Sequence, residues 1–161
     1  MTILGIDPGI GRVGWGIIEL RIANCELRDY GCLETSSKEL DHERLVKIHE
    51  FITEKLQENK PDAVAVEELF FSANAKTAIS VGQARGVILL TAALQKIPLF
   101  SYTPLQVKQA LTGYGRAEKG QIQQMVKTLL GLKEIPKPDD AADALAIALC
   151  HAFSYKMNSQ L

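Results

Sequence analysis

Three segments at the start of the chain have patterns typical of β-strands. Residues Thr2–Asp7 form a short apolar run, residues 12–21 interleave apolar side chains with glycines, and residues 25–35 form a third extended segment. The gaps between them are short and contain Gly or Asn, which is typical of turns between antiparallel strands. The pattern therefore predicts an antiparallel meander of three strands.

Helical periodicity appears after the meander and alternates with two further strands. Four apolar residues recur at helical spacing between positions 41 and 59, before Pro61 ends that helix: Leu45, Ile48, Ile52 and Leu56. Residues 62–67 and 98–102 have the pattern of short strands. Four further segments are predicted to be helical: 74–96, 104–111 (with Thr103 as its cap), 117–130 and 139–155.

The order of these elements is βββ-α-β-α-β-ααα, which predicts an α/β fold built on a five-stranded mixed sheet. The meander supplies antiparallel strands, helical crossovers join the parallel strands, and helices cover both faces of the sheet. No linker is long enough to separate a second folding unit, so residues 1–161 are predicted to form a single domain.

Composition narrows the class of protein. The chain is 47% hydrophobic and 23% charged, as is ordinary for a soluble protein. Its three cysteines form no C-x-x-C pair, and without a secretory signal they are expected to be reduced thiols in the cytoplasm. The histidines share no metal-ligand spacing with them, which argues against zinc. The apolar runs are far shorter than the roughly 20 residues of a membrane span, so no membrane contact is expected.

Charge is distributed unevenly, although the formal net charge is only −1. Residues 71–138 contain nine basic and two acidic residues, whereas residues 1–70 contain eight basic and 14 acidic residues. A basic middle section could face the phosphates of a nucleic acid. It could equally form the solvated faces of helices, and the charge distribution leaves both interpretations open.

Four acidic residues occupy positions where a fold of this kind could gather them. Asp7 ends the first strand and Glu67 ends the fourth, while Asp140 and Asp143 share one face of the final helix because they are three residues apart. Such carboxylates repel one another unless cations neutralise them, and Mg²⁺ prefers oxygen ligands. Two such ions about 4 Å apart can bind a phosphodiester between them. The sequence therefore predicts a metal-dependent nuclease.

Each acid also fits an ordinary structural role. Asp7 begins an Asp-Pro-Gly turn, and Glu67 could lie where a strand meets water. Asp140 could cap the last helix. Asp143 is harder to explain in this way, because its helix is apolar nearly all round and a buried acid needs a strong partner.

Neighbouring acids leave the register of this cluster open at two positions. Glu68 follows Glu67, and Asp139 precedes Asp140. We choose Glu67 because it directly continues the apolar strand, and Asp140 because it pairs with Asp143 on one helix face.

Six sequence blocks occur in an order that resembles a known family. They are Ile6-Asp7-Pro8-Gly9, Val66-Glu67-Glu68-Leu69-Phe70, Gly82-Gln83-Ala84-Arg85-Gly86, Val107-Lys108-Gln109, Ala117-Glu118-Lys119 and Asp140-Ala141-Ala142-Asp143-Ala144-Leu145-Ala146. Together they resemble the RuvC family of Holliday-junction resolvases, the crossover junction endodeoxyribonucleases, over nearly the whole chain. No single block is as specific as the six together.

The resemblance implies an RNase H-like fold and a homodimer that hydrolyses DNA with Mg²⁺. The sequence itself does not distinguish Mg²⁺ from Mn²⁺, which could substitute for it, as the metal used in the cell. It implies paired nicks in opposing strands of a four-way junction, with 5′-phosphate and 3′-hydroxyl ends, in recombination and DNA repair. The catalytic and metal-binding positions of the family correspond to Asp7, Glu67, Asp140 and Asp143, although some members have histidine in place of Asp140. A junction-binding protein and a branch-migration motor are the implied protein partners.

Basic side chains are candidates for DNA contacts. Lys108, Arg116 and Lys119 flank a glycine-containing loop, and by the resemblance the two lysines act near the scissile phosphate. The alternative is that they are solvated helix ends. Lys76 and Arg85 are further candidates for backbone contacts, although Arg85 could instead be structural.

Two adjacent aromatic residues, Phe70 and Phe71, follow the fourth strand. They cannot both point into one core face of an extended segment, so one could stack on unpaired bases, a contact worth about 1–3 kcal/mol. The resemblance favours Phe70 for this role. Ordinary packing under the following helix is the alternative.

Small side chains mark one segment of the helix predicted at 74–96: Ser80, Gly82, Ala84 and Gly86. They would let a second helix approach closely, and a two-fold dimer would place one site on each of two opposed DNA strands. Close packing onto the protein's own sheet is the competing interpretation.

Three other functions share parts of this pattern. An RNase H-like nuclease could act on RNA instead of junction DNA. A nucleotide-binding domain of the actin and sugar-kinase type also opens with Asp-x-Gly, but it needs a duplicated domain for which this chain is too short. A junction-binding module without catalysis is the third, and the acid in the apolar final helix argues against it.

Overall fold

A computed structural model describes the backbone of residues 1–68 and 75–158, and the side chains of residues 1–68 and 78–155. The strands are β1 (Thr2–Asp7), β2 (Arg12–Leu20), β3 (Cys25–Glu34), β4 (Ala63–Glu67) and β5 (Leu99–Tyr102). The helices are α1 (Asp41–Asn59), α2 (Ala75–Leu94), α3 (Pro104–Thr112), α4 (Lys119–Leu129) and α5 (Asp139–Asn158). The predicted order of elements is confirmed, and their predicted ends differ by a few residues.

The five strands form one mixed sheet in the order β3-β2-β1-β4-β5. The meander β1–β2–β3 is antiparallel, and β1, β4 and β5 run parallel to one another. Because Ile6 pairs with Val66, Asp7 and Glu67 follow one step later on neighbouring strands. The predicted mixed sheet is therefore confirmed, and its two central strands end side by side.

Side chains alternate between two separate cores on the two faces of the sheet. On β1, Leu4 and Ile6 pack with helices α1 and α2, whereas Ile3 packs with α3, α4 and α5. On β4, Val66 faces the first core and Ala65 faces the second. Helices therefore cover both faces, as predicted, and the alternation turns Asp7 and Glu67 towards the α5 face.

Glycines on β1 and β2 let α5 lie directly against the backbone of the sheet. A Cβ added at Gly5 would overlap the main-chain oxygen of Ala144, and one added at Gly14 would overlap the main-chain oxygen of Asp140. The small residues on the facing side of α5 complete this close approach. The packing of α5 thus fixes the position of its first turn relative to the end of β1, where Asp7 lies.

Local capping explains how α3 begins. Thr103 is its N-cap, and its hydroxyl accepts a hydrogen bond from the backbone N–H of Gln106 at 3.2 Å. Pro104 occupies the first turn, where its missing N–H costs nothing. The predicted cap is confirmed. Within the described ranges, none of the helices combines the length and the apolar character that crossing a membrane requires.

Candidate active site

The four predicted acids come together at one edge of the sheet. Asp7 and Glu67 are the last residues of adjacent parallel strands. Gly14, which pairs with Asp7 across the meander, lies against the backbone of Asp140. Asp143 lies one turn further along α5, on the same face. Distant segments of the chain therefore contribute four carboxyl groups to one place.

Burial and repulsion between the acids raise the pKa of Asp7 strongly. Burial raises the pKa of its carboxyl from 3.8 to about 8, and the negative charges of Glu67, Asp143 and Asp140 add to this rise. Lys119 opposes the rise but does not cancel it. Unless a cation neutralises the cluster, Asp7 therefore stays largely protonated near pH 7.

Glu67 and Asp143 experience the same environment. Burial raises the pKa of Glu67, the charge of Asp143 adds to the rise, and a hydrogen bond with Asp7 opposes it. Burial also raises the pKa of Asp143, although a hydrogen bond from Lys119 lowers it. A protonated Asp7 can donate that first hydrogen bond, so a single shared proton reduces the repulsion between the two strand ends. Binding of a divalent cation would release this proton.

Basic side chains pair with the three aspartates of α5. The Lys119 ammonium lies 2.9 Å from an oxygen of Asp143 and 3.5 Å from one of Asp139. The Arg12 guanidinium lies 3.8 Å from an oxygen of Asp140 and 3.2 Å from one of Glu34. These contacts reduce the net negative charge of the cluster.

The side-chain arrangement does not by itself form a coordination shell. Among the side chains of residues 1–68 and 78–155, no three carboxylate, imidazole or thiol groups stand close enough together to hold one metal ion. The chemistry of the donor set nevertheless fits a hard cation, because all four groups offer oxygen, and because burial and the neighbouring negative charges raise the pKa of Asp7 to about 8, a rise that a bound cation would oppose. Bringing the four groups onto an ion requires rotation of side chains, above all release of Asp143 from Lys119.

A cavity of about 200 Å³ opens beside this cluster. Glu67 and Asp143 line one side of it, and Lys108 and Lys119 line it as well. Its other walls are apolar: Pro104, Val107, Ile122, Ala146 and Ile147. Two acids and two lysines therefore face one concave surface, where a phosphate could meet both kinds of charge.

Comparison with known proteins identifies the family. The family model described as Crossover junction endodeoxyribonuclease RuvC matches residues 3–151. A Crossover junction endodeoxyribonuclease RuvC from Desulfitobacterium hafniense is 56% identical over 161 residues, covering 100% of this chain and 98% of the relative. The chain belongs to the RuvC family.

Solved structures of RuvC agree with this assignment. Thermus thermophilus RuvC superimposes with a TM-score of 0.92 at 43% identity, covering 98% of this chain and 97% of that one. T. thermophilus RuvC in complex with Holliday junction substrate gives a TM-score of 0.91 at 41% identity, covering 99% and 98%. The predicted family and the predicted α/β, RNase H-like fold class are confirmed.

The predicted DNA contacts of this RuvC member lie in different surroundings. Lys108 and Lys119 face the cavity beside the acids, and Arg116 is exposed on the loop before α4. Arg85 instead donates to the main-chain oxygen of Glu67 at 3.0 Å and to the hydroxyl of Ser101 at 2.8 Å. Its predicted contact with DNA stays a prediction. Two further predictions lie outside what the structure describes: Phe70 entirely, and Lys76 in its side chain.

Sequence reasoning on this RuvC member missed one contributor to the site, Arg12, and set another, Asp139, aside in favour of Asp140. Arg12 pairs with Asp140 from the start of β2, and Asp139 shares Lys119 with Asp143. Arg12 directly follows the turn after Asp7, so its nearness in sequence was the available signal. The partner of Lys119 could not be found in this way, because α4 and α5 meet only in the folded protein.

Proposed function

We propose that this protein is a metal-dependent endonuclease that resolves four-way (Holliday) DNA junctions by paired, symmetric nicks. The observation that carries the proposal is the convergence of four carboxyl groups on one open edge, with a strongly raised pKa at Asp7. The membership in the RuvC family and the T. thermophilus RuvC bound to Holliday junction substrate support junction DNA as the substrate.

Asp7, Glu67, Asp140 and Asp143 are the proposed ligands of two Mg²⁺ ions, with Mn²⁺ as a substitute. When bound, such ions supply an activated water and stabilise the charge that develops on the leaving oxygen. The chain contributes the carboxylates that orient the ions and the largely apolar wall of the neighbouring cavity.

Hydrolysis is proposed to proceed without a covalent enzyme intermediate. The oxygen of water forms a bond to phosphorus while the bond to the 3′ oxygen breaks, and that oxygen takes up a proton. The products are a 5′-phosphate and a 3′-hydroxyl. Lys119 faces the same cavity as the acids and is proposed to stabilise negative charge on the reacting phosphate. Lys108 is proposed to share this role.

Other basic and aromatic residues are proposed to bind the junction away from the reacting phosphate. Arg116 and Lys76 are the proposed backbone contacts, and Phe70 is proposed to stack on unpaired bases. Arg85 is a further proposed backbone contact, although its guanidinium also bonds to the Glu67 carbonyl and the Ser101 hydroxyl.

A homodimer is proposed because α2 exposes an apolar stripe. Ile79, Leu90 and Leu94 are 68%, 59% and 67% exposed, and a Cβ added at Gly86 would meet no atom within 4 Å. Ala84 and Ile88 on the opposite side of α2 are buried against the sheet. The small residues therefore support both interpretations. Ala84 packs on the protein's own sheet, and Gly86 lies on the exposed side, where a second copy could approach. Two-fold pairing would present two sites to two opposed strands.

The cellular setting follows from the same proposal. A junction resolvase acts in recombination and DNA repair, in the cytoplasm of a bacterial cell. A junction-binding protein and a branch-migration motor are the proposed protein partners.

The test is incubation of a labelled four-way junction with the protein and Mg²⁺. We expect nicks at symmetric positions in two opposing strands, no cleavage in EDTA, and much slower cleavage of duplex DNA and structured RNA. Asp140→Asn should abolish cleavage, whereas Glu134→Gln, a change at an exposed acid shortly before α5, should leave most of it. Cleavage of structured RNA in preference to the junction would replace this proposal by an RNA nuclease.

A further inference from the structure

Arg44 is a charged side chain in an unusual place. It belongs to α1, which packs on the face of the sheet opposite to α5, and its side chain is only 11% exposed. A charge that is so nearly buried requires good partners. Its ion pair with Asp41 spans 3.5 Å, and the Asp41 side chain is 62% exposed, so water screens that pair.

The stronger partner of Arg44 is Thr35, which directly follows β3. The guanidinium Nε donates to the Thr35 hydroxyl oxygen at 2.9 Å. That hydroxyl in turn donates to the main-chain oxygen of Ile10. The backbone N–H of Thr35 donates to the main-chain oxygen of Gly11 at 3.0 Å. Thr35 therefore connects Arg44 to two consecutive carbonyls.

Both carbonyls belong to the turn formed by residues 8–11, which joins β1 to β2 directly after Asp7. The turn is tight at Gly9, where an added Cβ would overlap the main-chain oxygen of Arg12. Gly11 lies beside Arg44, since a Cβ added there would be in ordinary contact with an Arg44 nitrogen at 3.5 Å. The geometry of this turn sets where β1 ends, and hence where the carboxyl group of Asp7 stands relative to Glu67 on the neighbouring strand.

We propose that Arg44 and Thr35 are positioning residues, which hold Asp7 in register for the cation through the turn at residues 8–11. This inference rests on the proposed function. A direct role in DNA binding does not fit, because the Arg44 guanidinium is turned inwards and nearly buried. Neither side chain touches the reacting atoms; each acts through the turn that follows Asp7.

The sharpest test replaces Thr35 by valine, which has the same shape but no hydroxyl. We expect the Mg²⁺ concentration for half-maximal stabilisation of the free protein against heat to rise by about tenfold, the lower end of the effect of removing a direct partner of a metal ligand, because Thr35 acts on Asp7 only through the turn. The Mg²⁺ concentration for half-maximal junction cleavage should rise in parallel. Junction affinity in EDTA should stay within about twofold of the original, because no DNA contact is removed.

Two variants serve as controls. Thr35→Ser restores the hydroxyl and should restore the Mg²⁺ dependence. Thr128→Val removes a hydroxyl that donates to the Gln124 carbonyl on α4, far along the chain, and should leave the Mg²⁺ dependence unchanged.

A purely structural role gives a different result. Thr35→Val would then lower the melting temperature while the Mg²⁺ dependence stayed that of the original protein, and the proposal would be overturned. If Thr35→Val does not fold, Arg44→Lys is measured instead, since it keeps the charge but loses the guanidinium Nε; an unchanged Mg²⁺ dependence there also overturns the proposal. Absence of any Mg²⁺ effect on the original protein would instead refute the proposed function.

Discussion

Replacing Asp7 by asparagine should make the protein more stable while it removes cleavage. The Asp7 carboxyl has a pKa of about 8 in the folded protein and 3.8 as a free group. Between these two values the folded state binds more protons than the unfolded state, so stability falls as pH rises through this window. Each pKa unit corresponds to about 1.36 kcal/mol. In EDTA the protein should therefore lose about 3.5 kcal/mol between pH 5 and pH 8 through this one group.

Asparagine has the shape of protonated aspartic acid, and its amide can donate to Glu67 as the protonated carboxyl does. The free energy of unfolding of Asp7→Asn should consequently exceed that of the original protein by up to about 5 kcal/mol at pH 8, and by less than about 2 kcal/mol at pH 5. Mg²⁺ should stabilise the original protein at pH 8, by about 2.7 kcal/mol at 100 times its dissociation constant. It should stabilise Asp7→Asn far less.

The assay is unfolding by urea at pH 5 and pH 8, in EDTA and in Mg²⁺. Trp15 is the one tryptophan of the chain and is only 7% exposed, so its fluorescence reports unfolding. Glu50→Gln, a change at an exposed acid on α1, is the matched control and should show no such gain. Equal stability of Asp7→Asn and the original protein at pH 8 would refute the reasoning, because it would mean that ionisation of Asp7 does not destabilise the folded protein.

Three further changes test other parts of the account. Lys119→Ala removes the cation that lowers the pKa values of the neighbouring acids, so the acid limb of the pH profile for cleavage should move to higher pH; an unmoved limb would contradict this. Leu90→Glu should give a folded monomer in sedimentation velocity, and a persisting dimer would exclude the α2 stripe as the interface. Gly14→Ala should cost about 1–3 kcal/mol in urea unfolding, because its methyl group would overlap the backbone of Asp140, whereas Gly120→Ala on α4 has open space and should cost nothing.

Local patterns were sufficient to predict the elements and much of the fold. The alternation in β1 and the helical spacing in α1 reflect which face of each element is buried. That face can be inferred from residues that are close together in the sequence. The short turns of the meander and the helical crossovers then restricted the topology. Asp7 and Glu67 could be paired because the ends of adjacent parallel strands meet at one edge.

Contacts between distant side chains could not be predicted in the same way. Arg44 and Thr35 are nine residues apart and meet only because of the path the chain takes from β3 into α1, and Lys119 reaches Asp143 only because α4 lies beside α5. The role of Gly14 was likewise hidden, since a glycine in a strand signals close approach but does not say which helix approaches. Such contacts depend on the relative placement of elements, which periodicity does not encode.

The central claim is that the acids at the ends of β1 and β4 and at the start of α5 bind divalent cations together. Anomalous scattering from crystals soaked in Mn²⁺ locates such ions directly. We expect anomalous peaks within coordination distance of Asp7, Glu67 and the first turn of α5, at Mn²⁺ concentrations that support junction cleavage. Absence of peaks there under those conditions, or peaks bound only elsewhere on the protein, would contradict the claim.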